Sequence, residues 1–196
     1  LSAGNQEDFP AKAFCDPFRP ILESLDSQLI TTLLEDTFLI HPVHRPAIEE
    51  GVQLLHDGAA QKIDLFWGTD YQNSTSSRFN DTFNEYAQNV DYRCSMSPSI
   101  INKDYFLSFF EPNMTIWEFE LNNMNKAKND GARLLFSKNR PLAPWINVIV
   151  KGKFNFKQHE KMITSSTGRN FGWNRYQRLE DDEYDTFLQY KEWTAS

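Results

Sequence analysis

The strongest constraint on the fold of this chain is a run of alternating apolar and polar residues from Ile146 to Phe156. Apolar side chains take every second position, and lysine or asparagine takes most positions between them, with Ile149 as the exception. Successive side chains of a β-strand point to opposite faces, so this period predicts a strand with one buried and one solvated face. Gly152 falls on the apolar face and indicates a bulge or bend. We expect this strand to be central in a sheet that packs against helices.

Shorter strand candidates accompany it in the C-terminal half. They are Thr115–Leu121, Ala132–Phe136, Lys161–Ser165 and Phe171–Arg175. Together these segments predict an antiparallel meander of about four or five strands. The acidic run that begins at Glu180 suits a helix N-terminus, because carboxylates stabilise the positive end of the helix dipole. A C-terminal helix is therefore expected to follow.

The N-terminal half shows the spacing of helices instead. Asp16-Pro17 is typical of a helix start, and the apolar residues from Phe18 to Leu33 predict one long amphipathic helix. The β-branched residues Ile30-Thr31-Thr32 weaken its second part.

Further elements are predicted between these regions. Arg45-Pro46 and Asp57-Gly58 are typical of the start and the end of a second helix. The segment Ile63–Thr69 is a strand candidate, and the aromatic spacing within Phe79–Tyr86 predicts a third helix.

These elements predict an α+β fold in which N-terminal helices pack on a curved antiparallel sheet from the C-terminal half, with a C-terminal helix. Residues 1–12 are polar, contain Gly4 and Pro10 and lack a period, so we expect a flexible lead-in. No linker or internal repeat divides the remainder. Residues 13–196 are therefore expected to form a single domain.

The order of elements resembles the cone-shaped nuclear-transport-factor-2-like superfamily. The stretch Trp117–Trp173 is similar to its sheet half, and Phe18–Phe38 and Pro46–Leu55 are similar to its helices. The resemblance implies helices that cover one face of a bent sheet. The superfamily includes dehydratases, isomerases and non-catalytic binding modules, so the resemblance alone does not select a function.

The charge balance excludes one class of partner. Twenty basic residues against 27 acidic ones give a net charge of −7, whereas nucleic-acid binding draws on a clustered basic face. Lys151, Lys153 and Lys157 are interpreted as a solvated strand face. No apolar run approaches the roughly 18 residues of a membrane-spanning helix, so none is predicted.

Cysteines and glycosylation sequons bear on the compartment. Cys15 and Cys94 allow one disulfide, which would close a long loop, and we predict that they pair. Sequons begin at Asn73, Asn80 and Asn113. These features favour a secreted or lumenal glycoprotein, with a cytoplasmic location as the alternative.

Metal binding is not predicted. His41 and His44 lie three residues apart, and Asp36 or His56 would be needed as a third ligand. Pro42, which lies between the two histidines, opposes helix geometry. No cofactor motif is present either, because the chain lacks a glycine-rich phosphate loop and a G-x-S-x-G elbow.

Carboxylates beside aromatic residues are the candidates for acid–base chemistry. Asp64 and Asp70 flank Phe66-Trp67, and Glu118 follows a tryptophan. A carboxylate held against aromatic rings has a raised pKa and can act as a general base. The alternative for Glu118 is simple solvent exposure on the polar face of a strand.

We therefore predict a non-catalytic binding or interaction domain that uses a concave sheet face or an aromatic patch. Its partner is expected to be a protein or a small apolar ligand. The candidate ligand-binding residues are Trp67, Asp70, Tyr71 and Trp117. In the alternative interpretation both tryptophans are core residues and Asp70 caps a turn. The alternative function is a small-molecule enzyme, such as a dehydratase, isomerase or hydrolase, with a pocket carboxylate or histidine.

Overall fold

The computed structural model describes residues 13–34, 37–39, 42–66, 76–147, 149–150 and 153–154. They belong to two compact units. The first comprises the described residues up to Leu33 and those from His44 to Leu142, and the second comprises Leu34–Val43 and the described residues from Ala143 onward.

Helices and strands alternate irregularly along the chain. The helices are α1 (Cys15–Glu23), α2 (Arg45–His56), α3 (Lys103–Leu107), α4 (Ile116–Asn122) and α5 (Met124–Lys128). The strands are β1 (Leu29–Thr32), β2 (Thr37–Leu39), β3 (Lys62–Asp64), β4 (Ser77–Arg78), β5 (Phe83–Glu85), β6 (Ser99–Asn102), β7 (Leu134–Ser137), β8 (Trp145–Asn147), β9 (Ile149–Val150) and β10 (Lys153–Phe154). Among the described helices, none has the length and apolar content needed to cross a membrane.

A six-stranded sheet organises the first unit, in the order β1-β6-β3-β7-β5-β4. Strands β3 and β7 run parallel, with Ile63 opposite Leu135, and the other neighbours are antiparallel. The predicted α+β class is confirmed. The sheet is nevertheless mixed rather than antiparallel throughout, and it draws strands from both halves of the chain. The predicted C-terminal helix lies outside the described residues.

The second unit contains two short antiparallel pairs, β2 with β8 and β9 with β10. In the β9–β10 pair Ile149 lies opposite Phe154, so the predicted single strand Ile146–Phe156 is wrong. A period of two residues persists across two short strands that are close in sequence, so the pattern alone does not separate them from one long strand. Gly152 lies outside the described residues, so the bulge or bend expected there stays a prediction.

Five phenylalanine rings of the first unit pack against one another, and we call them the aromatic cluster. Its members are Phe14, Phe106, Phe109, Phe110 and Phe119. The Phe119 ring is 0% exposed and contacts the other four rings at centroid distances of 5.4 to 6.5 Å. These contacts join the segment before α1 to helices α3 and α4.

Helix α2 lies against the sheet through a glycine. A Cβ atom built on Gly51 would lie 2.6 Å from Cδ1 of Ile63 on β3 and 3.3 Å from the Phe83 ring on β5. The helix therefore approaches the two strands more closely than alanine would allow without a shift.

Predicted elements were recovered unevenly. The second helix matches α2, the strand at Ala132–Phe136 matches β7, and β3 covers the start of Ile63–Thr69. The long first helix is wrong, because α1 ends at Glu23 and the β-branched segment forms strand β1. Phe79–Tyr86 contains strand β5 rather than a helix, and Thr115–Leu121 contains helix α4 rather than a strand.

Candidate functional site

A buried ion pair lies on the central strand β3. The ammonium of Lys62 is 3.0 Å from the Asp64 carboxylate, and the two side chains are only 2% and 5% exposed. Because the residues are two positions apart on a strand, their side chains share one face. Lys62 also donates to the carbonyl oxygens of Ser95, at 3.1 Å, and Arg93, at 3.4 Å. These partners offset the desolvation that buried charges would otherwise suffer.

Tyr86 completes this face of the sheet. Burial, and then the nearby Asp64 carboxylate, raise the pKa of Tyr86 well above its ordinary value. The hydroxyl faces that carboxylate but is not aligned for a direct hydrogen bond. The Ser97 hydroxyl donates to Asp64 at 3.5 Å. Asp64, a sequence candidate for a general base, is therefore enclosed and paired.

Arg93 extends the buried charges toward the surface. Its side chain is 0% exposed, and the guanidinium donates to four main-chain carbonyls, those of Tyr86, Ala87, Ala127 and Ala132. The Nη2 atom also lies 3.7 Å from Asp130. A guanidinium has five N–H donors, so this arrangement uses most of them. We refer to Lys62, Asp64, Tyr86 and Arg93 as the ion-pair core.

A surface pocket of about 370 Å³ lies next to Arg93. Its walls include Gln61, Tyr105, Phe109, Lys126, Asp130 and Ala132. The Tyr105 hydroxyl donates to Oδ2 of Asp130 at 2.8 Å, and the Ala132 amide donates to Oδ1 at 2.8 Å. Burial, and then the hydrogen bond to Asp130, raise the pKa of Tyr105. Tyr105 therefore remains a proton donor to Asp130 at neutral pH.

Lys126 brings the opposite charge to the same pocket. Its ammonium lies 5.2 Å from the centroid of the Phe109 ring and donates to the carbonyl oxygen of Ser108. Two of its three N–H groups remain after that bond. The pocket thus presents an anionic group, a cationic group and an aromatic ring.

An exposed apolar surface lies on helix α4, and we call it the α4 face. Trp117 is 71% exposed and Leu121 is 47% exposed. The four-residue spacing places both on one side of the helix, whereas Phe119 points from the other side into the aromatic cluster. A surface tryptophan with this exposure is unusual, because most of a tryptophan is normally buried.

Helix α4 is held firmly behind that face. Thr115 and Glu118 form a reciprocal capping box at its N-terminus. At its C-terminus the buried amide of Asn123 donates to the carbonyls of Phe119, at 2.8 Å, and Phe109, at 2.9 Å. Glu120 accepts from the main-chain amide of Met96 at 2.6 Å.

The candidate ligand-binding residues are only partly described. Trp67, Asp70 and Tyr71 lie outside the described residues, so their proximity to Trp117 stays a prediction. Trp117 itself lies on a helix and is exposed, so the interpretation that it is a core residue is wrong. Glu118 is also exposed, as the simpler of its two interpretations expected.

The predicted disulfide is wrong, because Cys15 and Cys94 are free thiols. The two thiols lie against different main-chain segments. The Cys15 thiol lies near the main chain at Glu111, and Cys94 donates to the carbonyl of Glu120 at 3.5 Å. Burial raises the pKa of the Cys94 thiol to about 11 and also raises the pKa of Cys15. Both side chains therefore act as small apolar groups.

The sequons differ in environment. Asn73 lies outside the described residues, and Asn113 is exposed. The amide nitrogen of Asn80 and the hydroxyl of Thr82 both donate to Glu50, at 2.8 and 2.6 Å. The Asn80 oxygen accepts from the main chain at Phe83 and Thr82. The side chains of the second sequon are therefore already hydrogen-bonded within the protein.

Histidine and carboxylate side chains do not converge in the part of the chain that the structure describes. There, no group of three His, Cys, Asp or Glu side chains is placed to hold a metal ion. His44 is half-buried and His56 is exposed, while Asp36 and His41 lie outside the described residues.

Sequence reasoning missed the ion-pair core and the pocket. Lys62 and Asp64 alternate with an apolar residue, and a Lys-x-Asp pair within an apolar strand is a signal that could have indicated two charges on one face. Asp130 stands in the sequence Asn129-Asp130-Gly131, which is typical of a turn and gives no sign of a pocket. Nothing local in the sequence distinguishes Arg93 from an exposed arginine.

Comparison with known proteins adds no assignment. No protein-family model matches the chain, and neither a curated protein nor a solved structure matches it. The nuclear-transport-factor-2-like resemblance therefore stays a prediction.

Proposed function

We propose that the protein is a non-catalytic binding domain that contacts a protein partner through the α4 face. The observation that carries this proposal is the 71% exposure of Trp117. Tryptophan is enriched among the few residues that dominate binding energy in protein interfaces, and it loses little conformational entropy when it is covered.

The support of helix α4 is the second argument. The aromatic cluster, the capping box and Asn123 hold the helix from behind, so Trp117 and Leu121 are presented on a fixed backbone. A partner then does not have to order the backbone when it binds, and less of the interaction energy is lost.

Charge defines the partner more closely. Helix α4 contains Glu118 and Glu120 and no lysine or arginine, and the whole chain has a net charge of −7. A segment with an apolar side chain beside lysine or arginine would complement this surface. We therefore take the partner to be a basic, partly apolar protein segment.

A displayed random-peptide library, selected against the full chain, tests this function. We expect enrichment of peptides that combine an aromatic or aliphatic residue with lysine or arginine. Trp117→Ala should weaken the enriched peptides at least about tenfold, as expected for a central interface residue. Leu121→Ala should have a smaller effect in the same direction.

Leu33→Ala is the matched control, because Leu33 is another exposed leucine. It should leave peptide binding unchanged, and urea unfolding should show that all three variants remain folded. Enriched peptides that bind Trp117→Ala as tightly as the wild-type chain would overturn the proposal. A selection that enriches no peptide would overturn it as well.

A secreted or lumenal glycoprotein is part of the same proposal. The exposure of Asn113 supports it, whereas the two free thiols do not. Expression in a eukaryotic secretory host should give a glycan at Asn113 that Asn113→Gln removes. An unmodified Asn113 in that host would contradict this part of the proposal and leave the α4 face unaffected.

A further inference from the structure

The pocket beside Arg93 shares no side chain with the α4 face. Its wall combines a negative charge, a positive charge and an aromatic ring. Asp130 and Lys126 supply the charges, and Tyr105 supplies the ring. Gln61 adds a carboxamide whose side chain makes no hydrogen bond to the part of the chain that the structure describes. Few small molecules match all of these groups at once.

We propose that this pocket binds a free α-amino acid with an apolar side chain. In this arrangement the ammonium of the amino acid binds Oδ2 of Asp130, and its carboxylate binds Lys126 and the Gln61 amide. The apolar side chain contacts the Tyr105 ring in the pocket wall, because the Phe109 ring behind it is only 2% exposed. The inference is independent of the function proposed for the α4 face.

Asp130 is suited to accept from an ammonium. Its carboxylate is fixed by hydrogen bonds from Tyr105 and from the Ala132 amide, one on each oxygen. A carboxylate offers about four lone-pair positions, so Oδ2 can accept again. The side chain is 16% exposed and forms part of the pocket wall. Arg93 lies nearest to the other oxygen, Oδ1, and its N–H groups donate to main-chain carbonyls.

Lys126 is suited to bind the carboxylate. The carbonyl of Ser108 and the Phe109 ring position its ammonium, and two N–H groups remain to donate. A charge-assisted hydrogen bond of this kind is roughly twice as strong as a neutral one. The Gln61 amide can donate to the second carboxylate oxygen.

The size of the pocket limits the ligand. Its volume of about 370 Å³ is at the small end of ligand pockets, which suits a single amino acid rather than a peptide or nucleotide. A neutral polyol would use hydroxyl groups alone and would gain nothing from the two opposite charges. The charge pair therefore favours the zwitterion.

Isothermal titration of the full chain with L-leucine tests the proposal. We expect saturable binding in the millimolar range. N-acetyl-L-leucine, which lacks the ammonium, and L-leucinamide, which lacks the carboxylate, should each bind at least about tenfold more weakly. Inositol, a neutral polyol, should not bind.

Variants assign the binding to this pocket. Lys126→Met should weaken L-leucine at least about tenfold, whereas Lys128→Met, on the same helix, should not. Asp130→Asn should weaken it similarly, and Asp57→Asn is the charge-matched control. If Asp130→Asn unfolds, Lys126→Met decides, because Lys126 is exposed, and its ammonium bonds to the Ser108 carbonyl and contacts the Phe109 ring.

Three results would overturn the proposal. They are no binding of L-leucine to the wild-type chain, equal binding of either derivative, and undiminished binding to Lys126→Met. Binding of inositol in place of L-leucine would identify a polyol site and would also overturn it. None of these outcomes depends on Trp117, so they leave the function proposed for the α4 face to be tested by the peptide selection.

Discussion

The ion-pair core and the aromatic cluster hold neighbouring parts of the first unit by different physics. In the ion-pair core, Lys62 and Arg93 fix irregular segments by donating to main-chain carbonyls at set distances. In the aromatic cluster, Phe119 joins helices and loops through ring contacts that tolerate a range of angles. Directional bonds fail when one partner is removed, whereas apolar contacts weaken in proportion to the area lost. We expect the two regions to respond differently to substitution.

The largest effect is expected from Lys62→Met. This change leaves the Asp64 carboxylate buried without its cation, and breaking such a pair costs about 3–5 kcal/mol. Lys62→Met with Asp64→Leu should recover most of that loss, because no unpaired charge then remains. Urea unfolding of the single and double variants measures both effects.

Lys128→Met is the control for this comparison. Lys128 pairs with Asp91 at 2.5 Å, but both side chains are substantially exposed. Its loss should cost less than about 1 kcal/mol. If the double variant proved as unstable as Lys62→Met, packing rather than charge would explain the loss, and the proposed contrast would fail.

The second-largest loss of stability is expected from Asn123, a polar residue that bonds to the main chain of the aromatic cluster. The Asn123 amide is buried and donates to the carbonyls of Phe109 and Phe119. Asn123→Ala leaves both carbonyls unsatisfied, which should cost about 1–3 kcal/mol. It should also increase amide exchange across α4 and weaken peptide binding to the α4 face. Normal exchange in α4 would show that this helix does not need the Asn123 bonds.

A milder effect is expected from Phe119→Leu. The substitution keeps an apolar side chain at the centre of the aromatic cluster but removes the ring and part of its volume, so we expect a cost of about 1–2 kcal/mol, below that of a truncation to alanine. Thermal unfolding should show a small decrease with cooperativity retained. A loss as large as that of Lys62→Met would mean that the ring geometry is as strict as the ion-pair core.

The sequence predicted an element correctly where its local pattern agrees with the tertiary contacts of that segment. Helix α2 has a proline near its start and a regular apolar stripe, and β7 is a short apolar run that is buried at every position, so local signals and tertiary structure agree. Thr115–Leu121 alternates as well, yet Trp117 and Leu121 are exposed and only Phe119 is buried. The Thr115-x-x-Glu118 capping box was the signal that favoured a helix.

The candidate site was less predictable, because it depends on contacts between distant segments. Lys62 donates to the carbonyls of Arg93 and Ser95, and Arg93 donates to those of Ala127 and Ala132, each more than 30 residues away. No local pattern marks a lysine or an arginine that will be buried by such contacts. Trp117 was selected by residue type, and its exposure follows from the direction of α4 against the aromatic cluster. The disulfide prediction depended only on the presence of two cysteines, which does not bring Cys15 and Cys94 together.

The smallest change in stability is expected when the hydroxyl of Tyr86 is removed and the charges around it are kept. The pKa of Tyr86 is raised in the folded chain, by burial and then by Asp64, whereas an unfolded tyrosine loses its proton near pH 10. The stabilising contribution of the neutral phenol is therefore complete below about pH 10. It is lost as the pH rises from there toward the folded pKa, by up to about 1.4 kcal/mol per pH unit.

Tyr86→Phe should match the wild-type stability within about 1 kcal/mol at pH 7, because the hydroxyl makes no aligned hydrogen bond. Between pH 9 and pH 11 the variant should lose less stability than the wild-type chain in urea unfolding, and parallel losses would show that the phenol does not couple to the ion-pair core.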